Sequence, residues 1–423
     1  MAVPTSGRRR IRRSRYASRH WGSAETVILG HHRPGLGFSG LALLGLALLA
    51  AGCGGGEQAA PASTLGTLAP ATTTGVVTTS TEPGTVTDTS AGGDAATVDA
   101  STTTAIGIAT TTTIPGWAGP VHPLTGLPAV DGTVDRPALV VKIGNNDSKS
   151  LPQIGLEDAD VVYEVHIENG VTRFLAVFQS EVPALVGPVR SARSSDIDLI
   201  GNLNRPSFAY WGSNEGVGAE VEQAIDLGTF VALTTTGQGQ YLFSRGAGRG
   251  EAPYNGLFDA GAAALVAAGS APDPIFTFGG PSSSAVPIRG VRWMAPRRAI
   301  DWVWDHVSAR WLRYHRGVPL VGANGVHLAA DNVLLLFVDY RTSAADLLSP
   351  QAISTGSGDG WLLRDGTVTG VTWSRPFIAD GWSLEDDDTG EAVFLRPGRT
   401  WVALARMGEG KVLDPAEVAE LIG

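Results

Sequence analysis

Two arginines lie three residues apart in a segment of small and hydroxyl-bearing residues, GPVRSAR, which continues as SSDIDLI. The apolar spacing of the second half predicts a helix entered at Gly187 and Pro188, with Arg190 and Arg193 on one face. A guanidinium group binds a phosphate or carboxylate through paired hydrogen bonds, and the start of a helix carries unpaired N–H groups. The segment therefore predicts an anion-binding site.

Further residues complete this candidate site or pair with it. Ser191 adds a hydroxyl, and Arg173, just past a predicted turn, would supply a third guanidinium group. Glu164 and Asp196 are candidate acid/base residues or ion-pair partners, and in an enzyme either would act as base or metal ligand. The alternative is internal pairing, because several carboxylates, Glu168 among them, lie near the arginines in sequence. The sequence leaves both interpretations open.

Other chemistries have weaker support in the sequence. The histidines show no metal-ligand spacing, and the chain has no Gly-x-Ser-x-Gly motif. We therefore expect neither a metal nor a cofactor. Tryptophans are concentrated after residue 290, where they would form either a buried core or an exposed face that stacks on sugar rings. The core interpretation is favoured.

The elements that position these residues follow from hydrophobic periodicity. Strands are predicted at Ala138–Ile143, Asp160–Ile167, Thr172–Phe178 and Ser207–Trp211, and helices at Val217–Leu227 and Phe258–Gly269. The second and third strands form a hairpin at Asn169-Gly170. Later segments are mostly β, with a hairpin at Asp365-Gly366 and a final helix capped by Asp414. We predict an α+β protein, in which a mixed α/β N-terminal domain (117–273) is followed by a mainly β C-terminal domain (274–423).

The first 116 residues have the composition of a targeting and linking segment. A basic start and an apolar run at 35–52 precede the only cysteine, Cys53, in LLAAGC. This pattern predicts a lipoprotein signal peptide (1–52), cleaved before a lipidated Cys53. The Thr/Ala/Gly/Ser-rich residues 53–116 predict a disordered tether. We therefore expect a protein that is lipid-anchored on the outer face of the plasma membrane.

The charge of the chain limits its partners. The net charge is −10, and removal of the basic signal peptide makes the mature chain more acidic. This balance excludes a nucleic-acid-binding role. The expected partners are the membrane, through the lipid anchor, and either an anionic cell-wall or lipid-linked ligand or an envelope protein.

Several motifs follow one another in a familiar order: PLTGLP, RPALVVKIGNND, GLEDADVVYEVHIENGVTRFLAVF and GPVRSAR, then ARWLRYHRGVP, AADNVLLLFVDY, GVTWSRP and LRPGRTWVAL. They resemble the YerB-like family, which has two domains of unknown function. The resemblance implies a two-domain, lipid-anchored envelope protein without an established activity. In RGEAPYN, Tyr254 stands where the family pattern leads us to expect His. If that His is catalytic in relatives, this chain lacks it.

Three functions remain open at this point. The first is a non-enzymatic lipoprotein that binds an anionic envelope ligand or a partner protein. The second is an envelope-assembly enzyme that acts on lipid-linked phosphate or pyrophosphate. The third is a purely structural or interaction protein. The absence of a recognisable nucleophile in the sequence favours the first and third.

Overall fold

The central strands of the molecule are long apolar runs, because both of their faces are buried. Leu139–Asn145, Val161–His166, Thr172–Phe178 and Thr400–Ala405 are buried at every position. The computed structural model describes residues 117–129, 132–296 and 298–423. The signal peptide, Cys53 and the tether predicted for residues 1–116 lie outside the described residues.

Most regular structure in the described residues is β. The strands are β1 (Leu139–Asn145), β2 (Val161–His166), β3 (Thr172–Phe178), β4 (Leu185–Val186), β5 (Ser207–Ala209), β6 (Val231–Leu233), β7 (Phe243–Arg245), β8 (Gly256–Asp259), β9 (Val286–Pro287), β10 (Gly290–Ala295), β11 (Arg298–Asp305), β12 (Arg310–His315), β13 (Val318–Pro319), β14 (Ala329–Ala330), β15 (Asn332–Phe337), β16 (Tyr340–Thr342), β17 (Pro350–Ala352), β18 (Gly356–Arg364), β19 (Thr367–Arg375), β20 (Ser383–Asp386), β21 (Thr400–Ala405) and β22 (Gly410–Val412). The α-helices are α1 (Ser194–Ile200), α2 (Glu215–Asp226), α3 (Ala260–Ala264) and α4 (Pro415–Ile422).

One sheet of eleven strands organises the described part of the chain. Ten strands follow the order β20-β19-β18-β15-β21-β2-β3-β1-β5-β6, and β9 pairs with β19. Strands β1, β2, β5, β6, β15 and β21 all run in the same direction. Their carboxyl ends therefore lie in one row, here called the carboxyl edge; the term means this row of strand ends and not an outer strand. Their first residues form the opposite row, the amino edge. In open sheets of parallel strands, ligands bind beyond the carboxyl ends.

Two apolar cores lie on the two faces of this sheet. One core packs α1 and α2 against alternate side chains such as Val140, Leu175 and Val402. The other packs a second sheet, β13-β12-β11-β10-β22 with β14 beside β12, against the opposite face. Trp293, Trp302, Trp311 and Trp401 belong to the second core, so the core interpretation of the tryptophans is confirmed at these positions.

The two predicted folded segments share the eleven-stranded sheet. Strand β2 of the first segment pairs in parallel with β21 of the second. The boundary at residue 274 stays a prediction. The described part of the chain is mainly β with few helices, and the mixed α/β character predicted for residues 117–273 is not clearly confirmed.

Several local predictions are confirmed. Asn169 and Gly170, both at positive φ, join β2 to β3, and Asp365 with Gly366 joins β18 to β19. Asp414 caps α4 with a capping box. The helix predicted at Phe258–Gly269 is shorter, because Phe258 pairs within strand β8 and the helix starts only at Ala260.

Candidate anion site at the carboxyl edge

The segment that contains the two arginines is extended, so the predicted helix over Arg190 and Arg193 is wrong. The N–H of Gly144 donates to the carbonyl of Pro188, and the N–H of Arg190 donates to the carbonyl of Lys142, both at 2.8 Å. Helix α1 begins only at Ser194. Pairing with the end of β1 satisfies the backbone of this segment, and this tertiary pairing outweighs the local helical pattern.

Helix α1 is fixed to the sheet by a buried ion pair. Lys142 in the middle of β1 donates to Asp196 Oδ1 at 2.5 Å, and both side chains are fully buried. The other oxygen of Asp196 accepts the N–H of Arg193 at 2.8 Å. Burial lowers the pKa of Lys142, and the nearby Arg173 and Arg193 add to this effect, while Asp196 opposes it. Asp196 therefore serves as an ion-pair partner and helix cap.

Glu168, in the turn between β2 and β3, gathers two of the predicted arginines. Arg193 grips its carboxylate with both Nε and Nη2, the Nε distance being 3.0 Å. Arg173 approaches the same carboxylate at 3.4 Å and donates to the carbonyl of Ser191 at 3.0 Å. Burial raises the pKa of Glu168, but the hydrogen bond and charge of Arg193, with Arg173, outweigh burial and hold it at about 2. Internal pairing therefore describes Arg193.

Arg190 has a different environment. Its guanidinium carbon lies 4.6 Å from the ring centroid of Tyr254, and the amine of Lys149 lies 5.3 Å from the same centroid. Arg190 Nη1 is buried and has no hydrogen-bond partner among the described residues. Burial lowers the pKa of Arg190, and Tyr254 acts in the opposite direction. Two cations thus face one ring, and Lys149 is exposed.

Six charged side chains gather where β1, the turn between β2 and β3, and the start of α1 meet. We call Lys142, Arg173, Arg190, Arg193, Glu168 and Asp196 the cationic cluster; it contains four cations and two carboxylates. Arg173 Nε is also buried without a partner among the described residues, and burial together with Arg193 lowers the Arg173 pKa to about 9. An anion bound here would meet unpaired donors and an excess of positive charge.

Glu164 does not join the cluster. Adjacent residues of a strand point to opposite faces, and Val165 is the residue in register with Arg173, so Glu164 lies on the other face. There Glu164 accepts two hydrogen bonds from the fully buried Arg313, at 2.7 and 2.8 Å. Thr172, Asn145 and Trp401 also donate to its carboxylate. Glu164 and Asp196 therefore cannot act on one reacting group.

The remaining predicted residue, Ser191, is occupied by the protein itself. Its hydroxyl donates to the carbonyl of Trp211 at 3.2 Å. Sequence reasoning missed Lys142, Lys149 and Tyr254 as neighbours of the arginines. Lys142 had a visible signal, because a lysine inside the buried run ALVVKI needs a partner. Nothing in the sequence links Tyr254 to Arg190, since that contact depends on tertiary folding.

Among residues 117–129, 132–296 and 298–423, no group of three or more His, Cys, Asp or Glu side chains could hold a metal ion. No helix in these ranges has the length and hydropathy that a membrane crossing requires.

Comparison with known protein families assigns the chain to a class. Residues 124–270 match the N-terminal domain of a protein family of unknown function, DUF3048, and residues 290–402 match its C-terminal domain. The two matches cover β1 to β8, β10 to β20 and the first half of β21, with the candidate site. The chain therefore belongs to this family.

The particular relative found is YerB of Bacillus subtilis. A curated protein of strain 168 named "Putative lipoprotein YerB" is 41% identical over 100 residues, which are 24% of this chain and 30% of the relative. The crystal structure of YerB from Bacillus subtilis superposes on this chain with a TM-score of 0.59. The superposition covers 70% of this chain and 100% of the YerB chain, and the two sequences are 24% identical. At this identity the superposition shows a shared fold.

Proposed function

We propose that this protein is a lipid-anchored lipoprotein of the outer face of the plasma membrane that binds an anionic envelope ligand at the carboxyl edge. The lipobox-like LLAAGC and the name of the YerB relative support the anchor at Cys53. The cationic cluster supports the ligand-binding role. Binding at this edge also agrees with the general position of ligands in parallel sheets.

One observation carries the proposal. Arg190 is nine-tenths buried, yet its Nη1 lacks a hydrogen-bond partner among the described residues. Leaving a buried charged donor unpaired is costly, and a phosphate or carboxylate would remove that cost with a strong, charge-assisted bond. Arg190 is held against Tyr254 beside the exposed Lys149, so it is positioned before any ligand arrives.

The proposed role is binding without turnover. Glu164 is sealed against Arg313 on the opposite face of the sheet, and Asp196 is neutralised by Lys142. A general base must reach the proton that it removes. Neither carboxylate meets this requirement in the arrangement described, so the geometry gives the envelope-assembly enzyme alternative no support. Binding of an envelope protein through an acidic segment stays within the same proposal.

Titration calorimetry with pyrophosphate on the detergent-solubilised full chain tests the site. Loss of one charge-assisted contact weakens binding roughly tenfold or more, so we expect this from Arg190→Gln. Arg245→Gln is the matched control, because Arg245 also stacks on an aromatic ring, Trp211, at 3.8 Å but is exposed. Equal binding by wild type and Arg190→Gln, with both folded, would refute the site.

Lipid labelling tests the anchor. Cells that express the chain and grow with a labelled fatty acid should yield a labelled protein that partitions with membranes. Cys53→Ser should abolish the label, because Cys53 is the only thiol in the chain. A labelled Cys53→Ser protein would show that the lipid is attached elsewhere.

A further inference from the structure

A concave surface lies at the carboxyl edge, beyond the ends of β2, β15 and β21. It is a cleft of about 300 Å³ between the turn at Ile167–Asn169 and the segment Tyr340–Pro350. Arg406, just past β21, closes one side. We call this surface the edge cleft. Arg190 does not line the edge cleft, whereas Glu168, which pairs with Arg193, does.

Two consecutive leucines project from the wall of the edge cleft. Leu347 is 79% exposed and Leu348 is 84% exposed. The loop around them is fixed by hydrogen bonds: Ser343 N donates to the carbonyl of Ser349 at 3.0 Å, and Leu348 N donates to Asp346 Oδ1 at 3.1 Å. A structured loop thus presents large apolar side chains to solvent, which is costly in the absence of a partner.

Two arginines, Arg341 and Arg406, line the edge cleft together with the leucines. Arg406 stacks on Tyr340 at 4.6 Å and contacts Glu409 only at 3.6 Å, while Arg341 Nε bonds the neutral side chain of Gln351 at 3.1 Å. Of the nearby carboxylates, Glu168 binds Arg193 and Asp346 binds the loop itself, while Asp198 is close enough to interact electrostatically with Arg341. The edge cleft therefore combines apolar side chains with available positive charge.

We propose that the edge cleft docks on the membrane, with Arg341 and Arg406 on the phosphates of anionic phospholipid head groups and Leu347 and Leu348 in the acyl boundary. This inference rests on the lipid anchor of the proposed function. Apolar side chains beside arginines are the combination that binds an anionic interface. A lipid surface supplies both an apolar layer for the leucines and anionic groups for the arginines, which favours lipid over a second copy of this chain.

The length of the chain before Trp117 permits this orientation. Residues 54–116 separate Cys53 from the first described residue, and a segment of that length can extend to about 200 Å. A folded domain of this size is about 50 Å across. The anchor therefore permits the carboxyl edge to face the bilayer, which would place the cationic cluster next to the head groups and favour lipid-linked anions as its ligands.

The test uses a fluorophore whose emission rises in an apolar environment, attached to the lipidated full chain on vesicles. Lipidation blocks Cys53, so Leu348→Cys provides the only free thiol. The matched control is Leu227→Cys, because Leu227 is 77% exposed but lies before β6, at the amino edge. Vesicles contain either phosphatidylcholine alone or phosphatidylcholine with phosphatidylglycerol.

The chain should float with both vesicle types. Emission at position 348 should rise about twofold on phosphatidylglycerol vesicles and stay low at position 227. Arg341→Gln with Arg406→Gln, or about 1 M salt, should shift the docking equilibrium at least tenfold toward the undocked state.

Four outcomes would overturn the proposal. Equal emission at positions 348 and 227 would mean that the leucines do not meet lipid. An equal rise on neutral vesicles would remove the role of the arginines. A rise that depends on the density of protein on the vesicle would identify a second copy as the partner. A chain that fails to float would refute the anchor of the proposed function, and lipid docking would fall with it.

Discussion

The two faces of the eleven-stranded sheet bury charge in different proportions. On the face that meets the second sheet, Glu164 and Arg313 form one closed pair surrounded by Trp401 and Phe174. On the face of α1, the cationic cluster sets four cations against two carboxylates and leaves donors of Arg190 and Arg173 unpaired. Both regions contain fully buried charges, so burial alone does not distinguish structure from function.

The difference lies in charge balance and access. The pair of Glu164 and Arg313 is balanced in charge and fully buried, so it is not accessible to a ligand, although Arg313 Nε and Nη1 also lack hydrogen-bond partners among the described residues. The cationic cluster has an excess of cations near the exposed Lys149, and the proposed anion would pair with that excess. Substitutions on the first face should therefore affect stability alone, whereas those around Arg190 should affect binding.

The largest expected effect is on the closed pair. Arg313→Met should lower the free energy of unfolding by about 3 to 5 kcal/mol, because Glu164 then stays buried without its cation. For a chain of this size that is a loss of roughly 10 °C in Tm. Calorimetry measures this loss in Tm. The matched control is Arg310→Met, since Arg310 lies on the same strand but approaches the carboxylate of Asp331 only to 3.6 Å and donates to the neutral carbonyl of Ala329 at 2.9 Å.

The double variant Arg313→Met with Glu164→Gln completes that test. Removing both charges should restore part of the stability lost in Arg313→Met, because no uncompensated charge remains. If Arg313→Met were no more harmful than Arg310→Met, the closed pair would not be a structural element, and the contrast between the two faces would fail.

The next effect concerns the pair within the cationic cluster. Asp196→Asn should cost about 2 to 3 kcal/mol, because Lys142 loses the carboxylate with which it pairs and must remain buried. The pKa of Lys142 is already below its ordinary value, so the unfolded state binds more protons and stability rises with pH. The loss in Asp196→Asn should therefore be smaller at about pH 9 than at about pH 7, as urea unfolding would show.

Asp198→Asn is the control for that prediction. Asp198 lies on the same helix, and burial raises its pKa, so removal of its charge should change stability by less than about 1 kcal/mol. Equal losses in the two variants at both pH values would mean that Lys142 does not depend on Asp196.

Acid should lower the stability of the fold by protonating Glu168. Its folded pKa of about 2 lies below the ordinary value of 4.5, so its contribution is complete above about pH 4.5 and is lost as the pH falls toward 2. Glu168→Gln should cost about 1 to 2 kcal/mol at neutral pH, with allowance for solvent screening, and almost nothing near pH 2. Urea unfolding across this pH range measures the difference in the free energy of unfolding between wild type and Glu168→Gln.

Glu181→Gln provides the comparison for Glu168. Glu181 pairs with Arg399 at the surface, so its removal should change stability by less than about 1 kcal/mol at any pH. A constant difference between wild type and Glu168→Gln from neutral pH to pH 2 would show that the ion pair with Arg193 does not stabilise the fold.

The sequence predicted the strands around the site better than the site itself. Strands β1 to β3 and the turn at Asn169 follow from periodicity and turn chemistry, which are local. The conformation of Arg190 does not, because its backbone bonds to Lys142, which is 48 residues earlier in the chain. Local pattern favoured a helix there, and pairing with the end of β1 prevented it.

The charged residues show the same limit. Arginines and carboxylates close in sequence were correctly treated as possible partners, yet sequence distance did not indicate which pairs form. Glu164 lies nine residues before Arg173 but on the opposite face, because β2 pairs with β3 in a register that matches Val165 with Arg173. A change of one residue in that register would have exchanged the faces.

The smallest expected effect tests the support of Arg190. Tyr254→Leu should weaken pyrophosphate binding by roughly three- to fivefold, because the ring that positions the guanidinium group is lost. Tyr254→Phe keeps the ring and should bind almost as well as wild type. The partly buried position of Tyr254 predicts little change in Tm for either variant. If Tyr254→Phe binds as weakly as Tyr254→Leu, the hydroxyl and not the ring holds Arg190 in place. If neither variant changes binding, Arg190 is positioned by its backbone bonds to β1 alone, and Tyr254 has no role in binding.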